Sequence, residues 1–301
     1  MLNFTHDRPA DLHALRAHLY DVFGWTYHGK SVPPAGLHML SAARMIHSPS
    51  GAFRCNGHIR GTGYRDIVFD IHEVAARLEG VKLVVNQKGE TVETGFNGII
   101  ISIAHHVSFL SRTVIKRDHG LLNRKTVEGM QRVGLVDSAF ERAFEVYADD
   151  QVEGRALLSP DFMERLLAFD AHPKFQGLQI GFIGNRMYAV LPNMLGESFG
   201  HDMPYYTPKS AADAVKAEMQ GVFSLLADMD GLHASARAQT DAEIQAERRA
   251  YYDGKSALID AAVQTAMADG ALTGSTRPSY LTDDAHTAVS PMFHGMLRPR
   301  F

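Results

Sequence analysis

Apolar residues recur along this chain with two different periods, and the changes between them mark out its elements. Leu12, Leu15, Leu19, Val22 and Phe23 share one face of a helix over residues 7–23, with Pro9 near its start and Gly24 just past its end. A loop, SVPPAG, follows, and Leu37 to Ile46 predicts a second, short helix. A period of two then takes over. Ala52–Cys55 and His58–Thr62 flank Asn56-Gly57, a dipeptide suited to a two-residue hairpin turn. Ile67, Phe69 and Ile71 alternate with Val68, Asp70 and His72 as in a half-buried strand. Lys82–Val85 and Thr91–Glu93 predict another hairpin around Asn86 to Gly89. Gly98 to Ala104, GIIISIA, has almost no polar alternation, which predicts a strand inside the sheet with both faces covered. Arg112–Lys116 is expected beside it, and residues 117–132 read as a loop.

The densest set of local signals lies between Val133 and Phe169. Asp137 is placed to cap a short helix carrying Phe140. Phe144 to Ala148 reads as a strand. Asp150 and Glu153 have capping-box spacing, and Ser159-Pro160 reads as N-cap and first helical position. Phe162, Met163, Leu166, Leu167 and Phe169 form the apolar stripe of the helix that follows. Leu178–Ile183 and Arg186–Leu191 predict a hairpin around Gly184-Asn185, residues 192–209 a loop, and Ala211–Met229 a helix. From about residue 234 the composition shifts toward Ala, Glu, Gln and Arg, predicting two helices broken near Asp253-Gly254. The pattern as a whole predicts an α+β fold: a mainly antiparallel, bent sheet covered by helices, with a helical C-terminal extension. It divides the chain into an N-terminal helical appendage (1–50), an α+β core (51–233), and a helical extension with an irregular tail (234–301).

The central stretch also carries a resemblance. Leu135, Phe140, Glu141, Phe144 to Tyr147, Asp150 to Glu153, Leu157, Pro160 to Glu164 and Leu166-Leu167 resemble the signature of the bacterial domain-of-unknown-function family 3137. The similarity runs from about Gly57 to about Leu232 and takes in Phe96 to Gly98, Arg112 to Val114 and Gly184 to Tyr188. It implies no particular activity. Members of that family often carry transmembrane helices near the N-terminus, and this chain departs from that pattern.

Composition narrows the classes of function. A net charge of −4 and a pI near 6.5 argue against a general nucleic-acid binder, which needs a basic surface. One cysteine, Cys55, permits no intramolecular disulfide. No apolar run reaches the roughly 20 residues that span a bilayer, and the first residues lack the basic-then-apolar design of a signal peptide. The expectation is a cytoplasmic protein without an integral membrane segment.

Candidate chemistry is sparse. Histidine is frequent, at 16, but no pair has the spacing of a zinc motif, so no metal and no cofactor are expected. Gly61-Thr62-Gly63 lacks the third glycine and the following helix of a dinucleotide fingerprint. Asp149, Asp150, Glu153 and Arg155 are the most concentrated polar group, with helix capping as the plain reading and a general acid–base pair as the sharper one. The C-terminal tail ends with Met292, Phe293, Met296, Leu297, Arg298, Arg300 and Phe301, more apolar weight than a fraying terminus needs. It is expected to lie along its own domain or to dock on another chain. The expected function is that of a non-enzymatic binding or scaffold protein holding a protein partner, or a second copy, through its core surface or tail. Asp150, Glu153, Arg155 and the seven tail residues are the candidate binding residues, and no residue is assigned a catalytic role. An enzyme with an acidic site at Asp150, Glu153 and Arg155 is the alternative, and peripheral membrane association a third reading.

Overall fold

The computed structural model describes residues 12–28, 36–48, 51–76, 95–104, 111–118, 129–172, 177–192, 208–235 and 242–268, with residues 33–34, 84–85, 91–92, 109, 127 and 175 between them. In chain order the elements are α1 (Leu12–Val22), β1 (Thr26–His28), α2 (Leu37–Ala42), β2 (Phe53–Thr62), a 3-10 turn (Tyr64–Asp66), β3 (Val68–Ala76), β4 (Val84–Val85), β5 (Thr91–Val92), β6 (Asn97–Ala104), β7 (Thr113–Arg117) and β8 (Gln131–Arg132). Then come α3 (Ser138–Ala143), β9 (Phe144–Ala148), α4 (Gln151–Leu157), α5 (Pro160–Ala171), β10 (Gln179–Ile183), β11 (Arg186–Pro192), α6 (Pro208–Ser235), α7 (Ala242–Ala257) and α8 (Ile259–Ala268). Nine strands form one sheet in the order β1-β2-β3-β6-β11-β10-β7-β9-β8, every neighbouring pair antiparallel, and β4-β5 is a separate hairpin. The fold is therefore α+β with a mainly antiparallel sheet, as the periodicity predicts.

The sheet has two covered faces of unequal character. On the first, Ile59, Phe69, Ile71, Ile99, Ile101, Ile103, Ile115, Val146, Ile180 and Met187 meet α1, α5, α6 and α8 in one large core. Helix α1 brings Leu19 and Tyr20 to it, the turn after it brings Phe23, and α8 brings Ile259, Ala262, Val263 and Ala266. Trp25 sits in this layer among Tyr20, Phe69 and Phe223, its ring nitrogen donating to the Thr62 carbonyl at 3.0 Å. Residue 61 must be glycine here, because a Cβ would overlap the indole. On the second face a smaller core joins Leu37 and Leu40 of α2, with Met45 and Ile46, to Val74, Ile100, Val114, Tyr147, Tyr188 and Val190. Strand β6 lies between β3 and β11 and contributes isoleucines to both faces, which explains its unbroken apolar run.

Local signals set the helix ends. Asp137 accepts from the backbone of Ala139 and Phe140, Asp150 from Val152 and Glu153, and Ser159 from Phe162. The Ser159 hydroxyl also donates to the Ser235 carbonyl at 2.6 Å, tying the start of α5 to the end of α6.

Four expectations are corrected. Strand β7, expected beside β6, is separated from it by β11 and β10 and pairs with β10 and β9. Asn56-Gly57 makes no hairpin turn: β2 runs through it, and the register slips between Cys55 and Gly57 as a β-bulge. An extra residue in a bulge serves these types as well as a turn does, and the whole length of β3 pairs with β2. Helix α7 continues through Asp253-Gly254, and the break falls at Leu258. An isolated glycine in a helix costs only about 1 kcal/mol, too little to stop one that packs as α7 does. The stretch read as a loop over 117–132 holds β8, whose two residues pair with Ala148 and Tyr147 of β9. Among the described residues no helix is long and apolar enough to cross a membrane.

Helix α7 docks through a buried ion pair. Arg248 Nε lies 3.1 Å from Asp230 Oδ2, and the Tyr252 hydroxyl donates to that oxygen at 3.2 Å while accepting from the Tyr64 backbone at 3.3 Å. Burial outweighs the arginine and pushes the Asp230 carboxyl up to about 6. A carboxyl raised in the folded state stabilises fully below its unfolded value near 4, and that contribution is lost as pH rises through 6. Urea denaturation of wild type and Asp230→Asn from pH 4 to 7 is expected to show wild type losing about 2–3 kcal/mol relative to the variant across that range. Parallel curves would refute the assignment. Leu166, buried in the main core, tests the packing itself. Leu166→Asp places an unpaired charge there at a cost of several kcal/mol, comparable with the whole stability of a domain, and is expected to abolish the cooperative thermal transition.

Candidate functional site on the second face of the sheet

Strand register carries polar side chains across the second face in two rows. One contains His28, His58 and His72, followed by Ile100, Val190 and Gln179. The other contains Thr26, Arg60, Asp70, Ser102 and Tyr188. The histidines stack: His58 and His72 have ring centres 4.1 Å apart at 9°, and His28 and His58 are 5.6 Å apart. Asp70 holds the rows together. It accepts from His58 Nε2 at 2.9 Å, and its other oxygen accepts from both terminal nitrogens of Arg186 at 2.8 and 2.9 Å. Arg186 also donates to the Ser102 hydroxyl at 2.8 Å, and Arg60 stands 3.9 Å from Asp70.

Burial organises the electrostatics. Desolvation alone would raise the Asp70 carboxyl, but the hydrogen bond from His58 and the charges of Arg186 and Arg60 outweigh it and hold the group below its ordinary range. His72 is 5% exposed, its Nδ1 has no hydrogen-bond partner, and burial with the neighbouring His58 pushes its pKa down to about 3. It is therefore a neutral ring at neutral pH. The rows open outward: His28 and Arg60 are exposed and His58 is half-buried. Farther along the same face the Tyr147 hydroxyl donates to Glu145 at 2.9 Å, and Lys116, half-buried with its pKa lowered to about 8 by burial, donates to the Arg44 carbonyl at 2.7 Å.

The residues singled out by sequence lie elsewhere. Asp150 is exposed and caps α4. Glu153 does not close a capping box; its carboxylate accepts from the Ser111 backbone at 2.6 Å and the Ser111 hydroxyl at 2.8 Å, joining α4 to the chain leading into β7. Arg155 donates to Gln151 at 3.0 Å and to the Gly134 carbonyl at 3.3 Å. Asp149 forks onto Arg112 at 2.8 and 2.9 Å. Met292, Phe293, Met296, Leu297, Arg298, Arg300 and Phe301 lie outside the described residues. His72 is followed by Glu73 in sequence, whereas its neighbour in space is His58, across a strand pair. Among the described residues no three His, Cys, Asp or Glu side chains converge as metal ligands would.

Arg186 belongs to the run Gly184 to Tyr188, and Arg112 to the run Arg112 to Val114; both runs carry the family resemblance, and both arginines hold carboxylates, Arg186 reaching Asp70 across β6 and Arg112 reaching Asp149. Residues 94–230 match DUF3137, described as a protein of unknown function. Over that stretch the chain resembles the DUF3137 family. The match covers β6 to β11 with α3 to α5 and most of α6; β2 and β3, within the span read from the sequence, precede it. No curated protein matches the chain. A solved structure similar to it is that of the mycobacterial trehalose monomycolate transport factor A, TtfA, at 13% identity over 60% of this chain and 82% of that one, with a TM-score of 0.36.

A histidine whose folded pKa is depressed contributes stability that is complete above its unfolded value near 6.5 and is lost as pH falls toward 3. His72→Phe keeps a planar ring against His58 and removes the titration. Between pH 6.5 and 5, wild type is expected to lose about 2 kcal/mol relative to the variant in denaturant unfolding. Equal losses would mean that His72 is protonated in the folded protein.

Proposed function

We propose that this is a non-enzymatic binding or scaffold protein of the bacterial cytoplasm that holds a protein partner, or a second copy of itself, through the open corner of its second sheet face or through its C-terminal tail. The observation that carries the reading is the pair of polar rows running from buried His72 and Asp70 out to exposed His28 and Arg60. Its inner members are fixed by one another: Arg186 and His58 grip Asp70 from two sides. Such a surface is preorganised, so an acidic or hydrogen-bonding partner meets side chains that lose little further freedom on contact. Asp150, Glu153 and Asp149, the carboxylates an acid–base mechanism would draw on, are engaged in a helix cap, two bonds from Ser111 and a fork onto Arg112. That supports a structural use of the acidic cluster over a catalytic one.

The test compares wild type, a His28→Glu/Arg60→Glu variant and a truncation lacking residues 288–301, each cross-linked in the native host and analysed by mass spectrometry after matching melting temperatures. Loss of the same cross-linked protein, or of the self-association, in either altered form at unchanged melting temperature is the expected result. The reading fails if both altered forms keep every partner while Asp150→Asn or Glu153→Gln abolishes a cellular phenotype without lowering stability.

A further inference from the structure

Three helices of the first layer leave a hollow between them. Arg165, Ala168 and Phe169 of α5, Ala227 and Asp228 of α6, and the two arginines Arg248 and Arg249 of α7 stand around a cavity of about 240 Å³. The spacing makes it: positions 165, 168 and 169 share one face of α5, and alanine at 227 leaves room opposite. Three of the residues around this one small space are arginines.

Two of the arginines are already oriented by a carboxylate. Asp161 holds Arg165 at 3.0 Å from the preceding turn of α5, and Asp230 holds Arg248 from the core side. Neither aspartate lines the cavity. Asp228 does, 3.8 Å from Arg249 Nη2, a looser approach than a formed hydrogen bond. Arg248 is 5% exposed and stacks over the Tyr64 ring with its central carbon 5.3 Å from the ring centre. A guanidinium carries five donors and a carboxylate pair uses one or two, so each pairing leaves donors for a ligand.

From this we infer that the cavity between α5, α6 and α7 binds a small phosphate-bearing anion. Three arginines lining one space from two helices suit the three outward oxygens of a phosphoryl group better than the two of a carboxylate. Phe169 and Ala168 offer the apolar wall against which an organic remainder of a phosphomonoester packs. The inference concerns the helical layer, apart from the sheet corner on which the proposed function rests, and its outcome is independent of that reading.

Calorimetric titration of the full chain with inorganic phosphate and with sn-glycerol 3-phosphate, at fixed ionic strength, tests it. The variant is Arg165→Gln/Arg249→Gln, two partly exposed positions whose loss spares the core. A charge-matched control, Arg132→Gln/Arg142→Gln, alters two exposed arginines away from the cavity. The expected result is one saturable site in wild type and control, weakened at least about tenfold in the cavity variant, since a hydrogen bond to a charged group is worth that much. Tighter binding of the glycerol ester than of phosphate points to a phosphomonoester, and equal binding to the free anion. Absence of saturable binding in wild type, equal affinity in the cavity variant, or an equal loss in the control overturns the inference.

Discussion

A strand with isoleucine at three successive positions cannot leave either side of its sheet in water. Ile99, Ile100 and Ile101 impose that condition on β6, and the architecture is its solution. One face is closed by α1, α5, α6 and α8, and the other by α2 and the turn after it. The two coverings differ because β6 itself changes along its length: past Ile101 comes Ser102, and from there the second face turns polar. Asp70, Arg186 and the histidines occupy the part of that face beyond the reach of the α2 core, where water solvates the outer members and ion pairing satisfies the inner ones.

Much of the fold was legible because its signals are local. Asp137, Asp150 and Ser159-Pro160 cap the helices assigned to them, since a cap needs only residues within four positions. The hairpin around Gly184-Asn185 and the buried strand GIIISIA follow from short windows for the same reason. Errors came where a local signal has two uses. Asn56-Gly57 serves a bulge as readily as a turn, and only the continuous pairing of β3 decides between them. Gly254 lies inside a helix whose packing against α6 outweighs its poor propensity.

The sheet-face cluster was not legible. Asp70 and His72 look like the solvent side of an alternating strand, yet both are buried. What keeps Asp70 inside is Arg186, 116 positions further along the chain, and no window of the sequence joins them. The acidic cluster drew attention for the opposite reason: Asp149, Asp150 and Glu153 are neighbours in sequence, but each turns to a different partner in space. Proximity along a chain is a poor guide to convergence wherever a strand ends and a helix begins, because the direction of the chain changes between one residue and the next.

Trp25 is the single tryptophan of the chain, and its indole sits where α1, the β2–β3 strand pair, α6 and α7 come together, with Phe69 and Phe223 against it and the Lys255 ammonium 5.8 Å from its ring. The protein thereby carries its one indole fluorophore at the junction of its N-terminal, central and C-terminal segments. Its emission reports the meeting of all three without any label, so separation of any one segment from the others leaves an optical trace in the same residue.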